Sequence, residues 1–169
     1  APGTQAFAVV KANAYGHGLL RVLPALDAAD GLALLELDAA VRLRAVHYTR
    51  RILLLEGFFG VTELPEISAR RFAVAVHNEE QIRMLETTRL ERPLEVFLKV
   101  NTGMNRLGVA PASVRTLVER LTHCDSIAVI RLMTHFARAD EDDGVAEQLK
   151  VFEDACKGLP YPRSLANSA

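Results

Sequence analysis

The sequence predicts an α/β fold, an incomplete (β/α)8 barrel of the TIM type. Short apolar runs alternate with helix-like segments about six times along the 169 residues, and a further strand begins near residue 163. Repeated βα units indicate a parallel sheet with right-handed crossovers. Chemically suggestive residues follow several different strands, which favours a barrel, because an open doubly wound sheet gathers its site near one switch point.

The first four expected strands are apolar runs without polar alternation. Such a run is typical of a strand that is covered on both faces, as in parallel sheets. The expected strands cover residues 7–10, 32–35, 52–55, 72–76, 94–100, 127–133 and 163–167.

The expected helices lie between these strands. They cover residues 19–26, a segment that starts at 38, a weaker helix at 63–69, a helix through 82 and 85, and two segments with apolar residues at helical spacing around 114–121 and 145–156. Asn78, followed three residues later by Gln81, resembles a capping box. Pro111 introduces the helix that starts near Val114.

The length predicts a partial domain. A full barrel of this type usually takes about 250 residues, whereas about seven βα units fit into these 169 residues. We therefore expect residues 1–169 to form most of the amino-terminal barrel of a longer protein, without its carboxy-terminal β domain.

Composition excludes several classes of function. Half of the residues are apolar, the formal net charge is −1, and the charges are scattered, which argues against nucleic-acid or anionic membrane partners. No apolar run reaches the roughly 18 residues of a membrane span. The two cysteines, Cys124 and Cys156, have neither metal-site nor redox spacing. We expect a cytoplasmic protein without a metal site.

The most informative segment is FAVVKANAYGHG, residues 7–18, in which an apolar strand leads into Lys11 and a turn with two glycines. By itself, a lysine at this point more often turns toward water. The segment as a whole resembles the pyridoxal-phosphate attachment segment of alanine racemases. The resemblance implies that Lys11 binds the cofactor covalently and is catalytic, and that Tyr15 helps to hold the phosphate. Attack on an aldehyde requires a neutral amine, so we expect Lys11 to be desolvated.

A second segment, KVNTGMNRLG at residues 99–108, follows the fifth expected strand. It is similar to a racemase motif whose arginine donates to the phenolic oxygen of the cofactor. The resemblance implies that Arg106 has this role and contacts substrate, and that Lys99 is carbamylated and orients it. A carbamate is anionic and can hold a guanidinium, which an ordinary lysine would repel. Some related enzymes place a chloride beside an asparagine instead, and Asn101 leaves that alternative open.

Two further segments follow the sixth and seventh strands. Alone, a histidine beside a phenylalanine is more often a packing residue, but MTHFA at 133–137 resembles the segment whose histidine lies against the pyridine ring, which implies this role for His135. SLANSA at 164–169 resembles the phosphate-binding segment, which implies cofactor contacts from Asn167 and Ser168. Phosphate sites of barrels commonly follow the later strands.

The resemblance implies a pyridoxal-phosphate racemase that interconverts L-alanine and D-alanine, which supplies D-alanine for peptidoglycan. The family precedent is a homodimer, in which the second catalytic base comes from the carboxy-terminal domain of the partner subunit. We therefore expect these 169 residues to be inactive alone. Two alternatives remain: a racemase of the same fold that acts on serine or many amino acids, and a non-catalytic pyridoxal-phosphate-binding barrel protein.

Overall fold

Seven parallel strands form one sheet in which the spatial order follows the chain. A computed structural model of the protein describes residues 3–137, 139–140 and 144–167. The strand order is β1-β2-β3-β4-β5-β6-β7, and each strand pairs in parallel with the next. A doubly wound sheet would reverse its order at a switch point. The sheet is therefore that of an incomplete (β/α)8 barrel, as the sequence predicts.

All seven expected strands are present. They are β1 Phe7–Val9, β2 Gly31–Leu34, β3 Arg51–Leu54, β4 Ala73–Val76, β5 Leu94–Lys99, β6 Ile127–His135 and β7 Arg163–Ala166. The largest difference is at β6, which continues two residues past its expected end and so includes His135. Pairing with β7 explains the extension, because His135 is in register with Ala166.

Helical segments connect the strands. They are α1 Lys11–Tyr15, α2 Leu19–Val22, α3 Leu37–Ala45, α4 Leu64–Ala69, α5 Glu79–Thr87, α6 Val114–Thr122 and α7 Ala146–Ala155. The helix expected at 19–26 changes into a 3-10 turn, Leu23–Leu26, because Pro24 has no N–H to continue the α-helical bonding. Among the described residues, no helix is both long and apolar enough to cross a bilayer.

The predicted cap of α5 is present with one difference. The Gln81 N–H donates to Asn78 Oδ1 at 2.8 Å, as a capping residue requires. In a capping box the Gln81 side chain would return to the Asn78 N–H. Instead Gln81 Oε1 accepts from the His77 N–H at 2.9 Å. The side chain therefore holds the end of β4 as well as the start of the helix.

Apolar residues fill two layers on either side of the sheet. The outer layer lies between strands and helices and includes Leu54, Val76, Leu98 and Leu117. The inner layer lies inside the barrel and consists of Ala33, Leu53, Ala73, Ala75, Phe97 and Met133. Both faces of each central strand are thus buried, which explains why the strand sequences show no polar alternation.

Charged residues inside the barrel are paired near the amino ends of the strands. The Glu95 carboxylate on β5 accepts from the guanidinium groups of Arg51 on β3 and Arg131 on β6. The two arginines also lie over aromatic rings, Arg51 at 4.8 Å from the Phe7 centroid and Arg131 at 5.8 Å from the Phe97 centroid. Pairing compensates the cost of burying these charges, so this end of the barrel has a structural role.

We expect Gly57→Ala to lower the free energy of unfolding of the complete natural protein by more than about 2 kcal/mol. Gly57 has φ +74°, and a Cβ there would lie 2.2 Å from the Ala75 carbonyl oxygen. The matched control is Gly60→Ala on the same loop, where φ is −159° and the nearest atom would be 3.7 Å away. Urea denaturation should show a change for Gly57→Ala alone; equal effects would contradict the steric account.

Candidate active site

Basic side chains follow three strands at the same end of the barrel. Lys11 comes two residues after β1, Lys99 is the last residue of β5, and His135 is the last residue of β6. The carboxyl ends of parallel strands meet at one rim of a barrel, where barrel enzymes place their active sites. We call the residues that follow the strands at this end the carboxyl-end rim.

The segment after β1 is a left-handed turn. Ala12, Asn13 and Ala14 have φ of 51°, 54° and 56°, and Tyr15 follows with φ 53°. This conformation costs an L-residue about 1–2 kcal/mol. The sequence did not reveal it, because none of the four residues is a glycine. Strain of this kind persists only where the surroundings impose it, and it is concentrated at functional sites.

Hydrogen bonds hold the left-handed turn in place. The Ala14 N–H donates to the Val10 carbonyl at 2.9 Å, and the Gly18 N–H donates to the Asn13 carbonyl at 2.9 Å. Asn13 Oδ1 also accepts from the Leu19 N–H at 2.8 Å, at the start of α2. The turn brings the exposed Tyr15 ring back toward the end of β1, with its centroid 6.0 Å from Lys11 Nζ.

Lys99 is the buried lysine of the rim, with 7% of its surface exposed. Lys11, which we expected to be desolvated, is only partly buried. Burial lowers the pKa of Lys99, the positive charges of Arg106 and Lys11 lower it further, and Glu56 opposes the shift. Within the described chain, the Lys99 amine has no hydrogen-bond or ion-pair partner. The amine of Lys99 therefore loses its proton more readily than that of an exposed lysine.

The loop that carries Arg106 is closed by its own side chains. Asn101 Oδ1 accepts from the N–H groups of Gly103 at 3.2 Å and Asn105 at 3.0 Å, and Asn101 Nδ2 donates to Asn105 Oδ1 at 3.0 Å. The Val109 N–H donates to the Lys99 carbonyl at 2.8 Å, which ties the two ends of the loop together. Asn101 therefore shapes this loop, a role that the sequence did not reveal.

His135 lies among the same positive charges. Burial lowers the pKa of His135, and the charges of Lys99, Arg106 and Lys11 lower it further. These electrostatic effects show that four of the predicted site residues lie near one another. His135 is consequently favoured in its neutral form.

The structure describes only one of the two predicted residues that follow β7. Asn167 directly follows β7 and is partly buried, at the same rim as His135. Ser168 lies outside the described residues.

In the described chain, no group of three or more His, Cys, Asp or Glu side chains could hold a metal ion. A cavity of about 910 Å³ between α5 and α6 contains none of the predicted residues and lies near the amino ends of β5 and β6.

The rim fits an anionic cofactor. Among the described residues, none of the ion pairs includes Lys11, Lys99, Arg106 or His135. Among the described residues, Arg106 and Lys11 lower the pKa of Lys99 and Glu56 raises it, so positive charge is in excess around the Lys99 amine. A phosphate ester and a phenolate both supply negative charge that such an arrangement stabilises.

Comparisons with known proteins agree with this geometry. The family model for the alanine racemase N-terminal domain matches residues 1–169. An alanine racemase from Burkholderia mallei is 52% identical over 166 residues, which cover 98% of this chain and 47% of that protein. The crystal structure of biosynthetic alanine racemase from Pseudomonas aeruginosa has a TM-score of 0.93 and 43% identity, covering 99% of this chain and 48% of that one.

This chain is also similar to a racemase that is named for a different amino acid. Histidine racemase from Leuconostoc mesenteroides has a TM-score of 0.83 and 27% identity, covering 96% of this chain and 46% of that one. The chain thus spans about half the length of the relatives that it matches.

We expect His135 to titrate below its ordinary pKa of 6.5 in cofactor-free protein and bicarbonate-free buffer. The fold binds this proton more weakly than the unfolded chain does, so His135 should lower stability as the pH falls from 6.5 toward its folded pKa. NMR titration of labelled histidine measures the value. Lys99→Met is the control and should raise the pKa of His135, because it removes a positive charge; an unchanged or lower pKa would contradict this placement.

Proposed function

Because this chain belongs to the family of alanine racemase N-terminal domains, we propose that it forms the pyridoxal-phosphate-binding barrel of a racemase that interconverts L-alanine and D-alanine. The observation that carries the proposal is the cluster of basic side chains at one rim, Lys11, Lys99, Arg106 and His135, none of which belongs to an ion pair among the described residues. We propose further that the complete enzyme is a cytoplasmic homodimer that supplies D-alanine for peptidoglycan.

Lys11 is proposed as the attachment point and as one of two catalytic bases. When bound, the cofactor accepts electrons from the substrate and makes its α-proton labile. Lys11 lies two residues beyond β1. Its amine would remove or return this proton on one face of the substrate α-carbon. Racemisation also needs a base on the opposite face, and we propose that the partner subunit supplies it.

Side chains from five other positions would hold the cofactor. Arg106 donates to the phenolic oxygen and to the substrate, and a guanidinium suits both because its donors form a fixed fork. His135, whose lowered pKa favours the neutral form, would contact the pyridine ring and would have no acid or base role. Tyr15, Asn167 and Ser168 hold the phosphate; the 6.0 Å between the Tyr15 ring and Lys11 Nζ supports this for Tyr15.

Lys99 is proposed to carry a carbamate. Burial and the charge of Arg106 lower the pKa of this amine, so it reaches its neutral, nucleophilic form more readily than an exposed lysine does. Its nitrogen forms a bond to the carbon of CO₂, and one N–H proton leaves to solvent. The resulting anion accepts from the Arg106 guanidinium and orients it, which turns a repulsive pair of cations into an attractive pair.

A racemase for another amino acid is the second candidate. The likeness of this barrel to that of a histidine racemase, with a TM-score of 0.83, favours it, because one barrel architecture then serves different substrates. Alanine is preferred, because the relatives with the higher identities are named alanine racemases. Assays of the complete natural protein with alanine, serine and histidine distinguish the two candidates.

We expect Lys11→Ala to abolish the visible absorbance band of protein-bound pyridoxal phosphate and to reduce racemisation by at least about 10²–10⁴-fold, because the amine is both attachment point and base. The matched control is Lys150→Ala, an exposed lysine of α7. Circular dichroism melts would show that both variants fold. The control should keep the band, and a band that persists in Lys11→Ala would overturn the assignment.

We expect ¹³C-labelled bicarbonate to produce one carbamate signal in the NMR spectrum of the complete natural protein. The signal should disappear in Lys99→Ala and remain in Lys11→Ala, because only Lys99 combines burial with the absence of a counter-ion. Bicarbonate should also raise the pKa of His135, since a carbamate reverses the sign of the neighbouring charge. A signal that survives Lys99→Ala would place the modification elsewhere.

A further inference from the structure

We propose that Gln148 is a positioning residue for the cofactor, which sets the separation of the two loops that carry Arg106 and His135. The inference rests on the proposed function. Gln148 lies in the first turn of α7 and was not among the residues that the sequence singled out. Its side chain contacts both loops of the carboxyl-end rim.

The Gln148 side chain forms hydrogen bonds with both backbone polar groups of Ala137. Its Oε1 accepts from the Ala137 N–H at 2.9 Å, and its Nε2 donates to the Ala137 carbonyl at 2.7 Å. Ala137 lies two residues beyond His135. Between them, the Phe136 N–H donates to the Ala166 carbonyl of β7 at 3.2 Å. The backbone that leaves His135 is thus held by β7 on one side and by Gln148 on the other.

The same side chain lies against the Arg106 loop. A Cβ built on Gly103 would come within 3.2 Å of Gln148 Cγ and 3.5 Å of its Cδ, so only a glycine allows the present approach without a shift. Gly103 has φ +141° and accompanies Arg106 in the loop closed by Asn101. Gln148 therefore limits how far this loop can move toward the His135 segment.

The base of the Arg106 loop is fixed separately. The Thr134 hydroxyl donates to the Val100 carbonyl at 3.0 Å and accepts from the Thr102 hydroxyl at 2.7 Å, and both threonines are buried. This chain of bonds ties the end of β5 to β6 but does not reach the middle of the loop. Gln148 supplies a second contact, at Gly103, which is the residue after Thr102.

Gln81 makes comparable contacts between two other loops and therefore serves as an internal control. Its Nε2 donates to the carbonyls of Glu56 and Phe58 at 3.0 Å each, and its Oε1 accepts from the His77 N–H at 2.9 Å. Each glutamine lies on the helix after one strand and contacts the loop after that strand and the loop after the preceding strand. The loops that Gln81 joins, after β3 and β4, carry no residue assigned to the cofactor. Gln81 should therefore affect stability without affecting the cofactor directly.

The test compares Gln148→Ala, Gln148→Glu and Gln81→Ala in the complete natural protein loaded with pyridoxal phosphate. Equilibrium titration measures the Kd of the cofactor, and visible circular dichroism per bound molecule reports the orientation of its ring. We expect Gln148→Ala to raise the Kd at least ten-fold and to change the dichroism. Gln81→Ala should lower the melting temperature and leave the dichroism per bound molecule unchanged.

Gln148→Glu adds a readout that a purely structural role would not change. An ionised carboxylate still accepts from the Ala137 N–H but cannot donate to the Ala137 carbonyl, whereas a protonated carboxyl group can do both. The Kd of Gln148→Glu relative to the unmodified protein should therefore improve as the pH falls through the pKa of the introduced group. This variant also keeps the inference testable if Gln148→Ala does not fold.

The outcomes separate this inference from the proposed function. If the unmodified protein shows no Lys11-dependent cofactor band, the proposed function fails, and the inference fails with it. If the band is present but the Gln148 variants bind the cofactor with unchanged Kd and dichroism, the inference alone is overturned. A change of dichroism in Gln81→Ala equal to that in Gln148→Ala would also overturn it, because the effect would then be general.

Discussion

An excess of positive charge around Lys99 and His135, at the carboxyl-end rim, is the constraint on which the rest of the site depends. The charges of Arg106 and Lys11 lower the pKa of Lys99, the charges of Lys99, Arg106 and Lys11 lower the pKa of His135, and Glu56 opposes the shift of Lys99 only in part. At the opposite end of the barrel, the Glu95 carboxylate bridges two arginines. The same sheet thus has one end where a shared carboxylate holds two arginines and stabilises the fold, and another end whose basic side chains have no ion-pair partner among the described residues.

The basic side chains of the rim repel one another when they are charged, so a rigid backbone is needed to keep them close together. The left-handed turn after β1 contains four residues that are not glycine, yet hydrogen bonds to Val10 and Asn13 hold it. Gly108, with φ +138°, passes so close to the Asn101 backbone that a Cβ would lie 2.6 Å from its nitrogen. Like charges repel one another, so the tight backbone geometry of the rim holds these side chains close together.

The sequence predicts the strands, their order and the residues of the charged rim, because apolar runs and strand-end motifs are local patterns. It misses the left-handed turn, since Ala12 and Ala14 carry no local signal for that conformation. It also misses the contacts of Gln81 and Gln148, which join segments distant in sequence through backbone groups. The expectation of a desolvated Lys11 was only partly right, because burial depends on how the loops fold over each strand end.

The most direct test is a crystal structure of the complete natural protein grown with pyridoxal phosphate. Our account predicts continuous electron density from Lys11 Nζ to the aldehyde carbon of the cofactor. Arg106 should lie beside the phenolic oxygen, and His135 against the ring. A cofactor attached to another lysine, or bound away from this rim, would contradict the account.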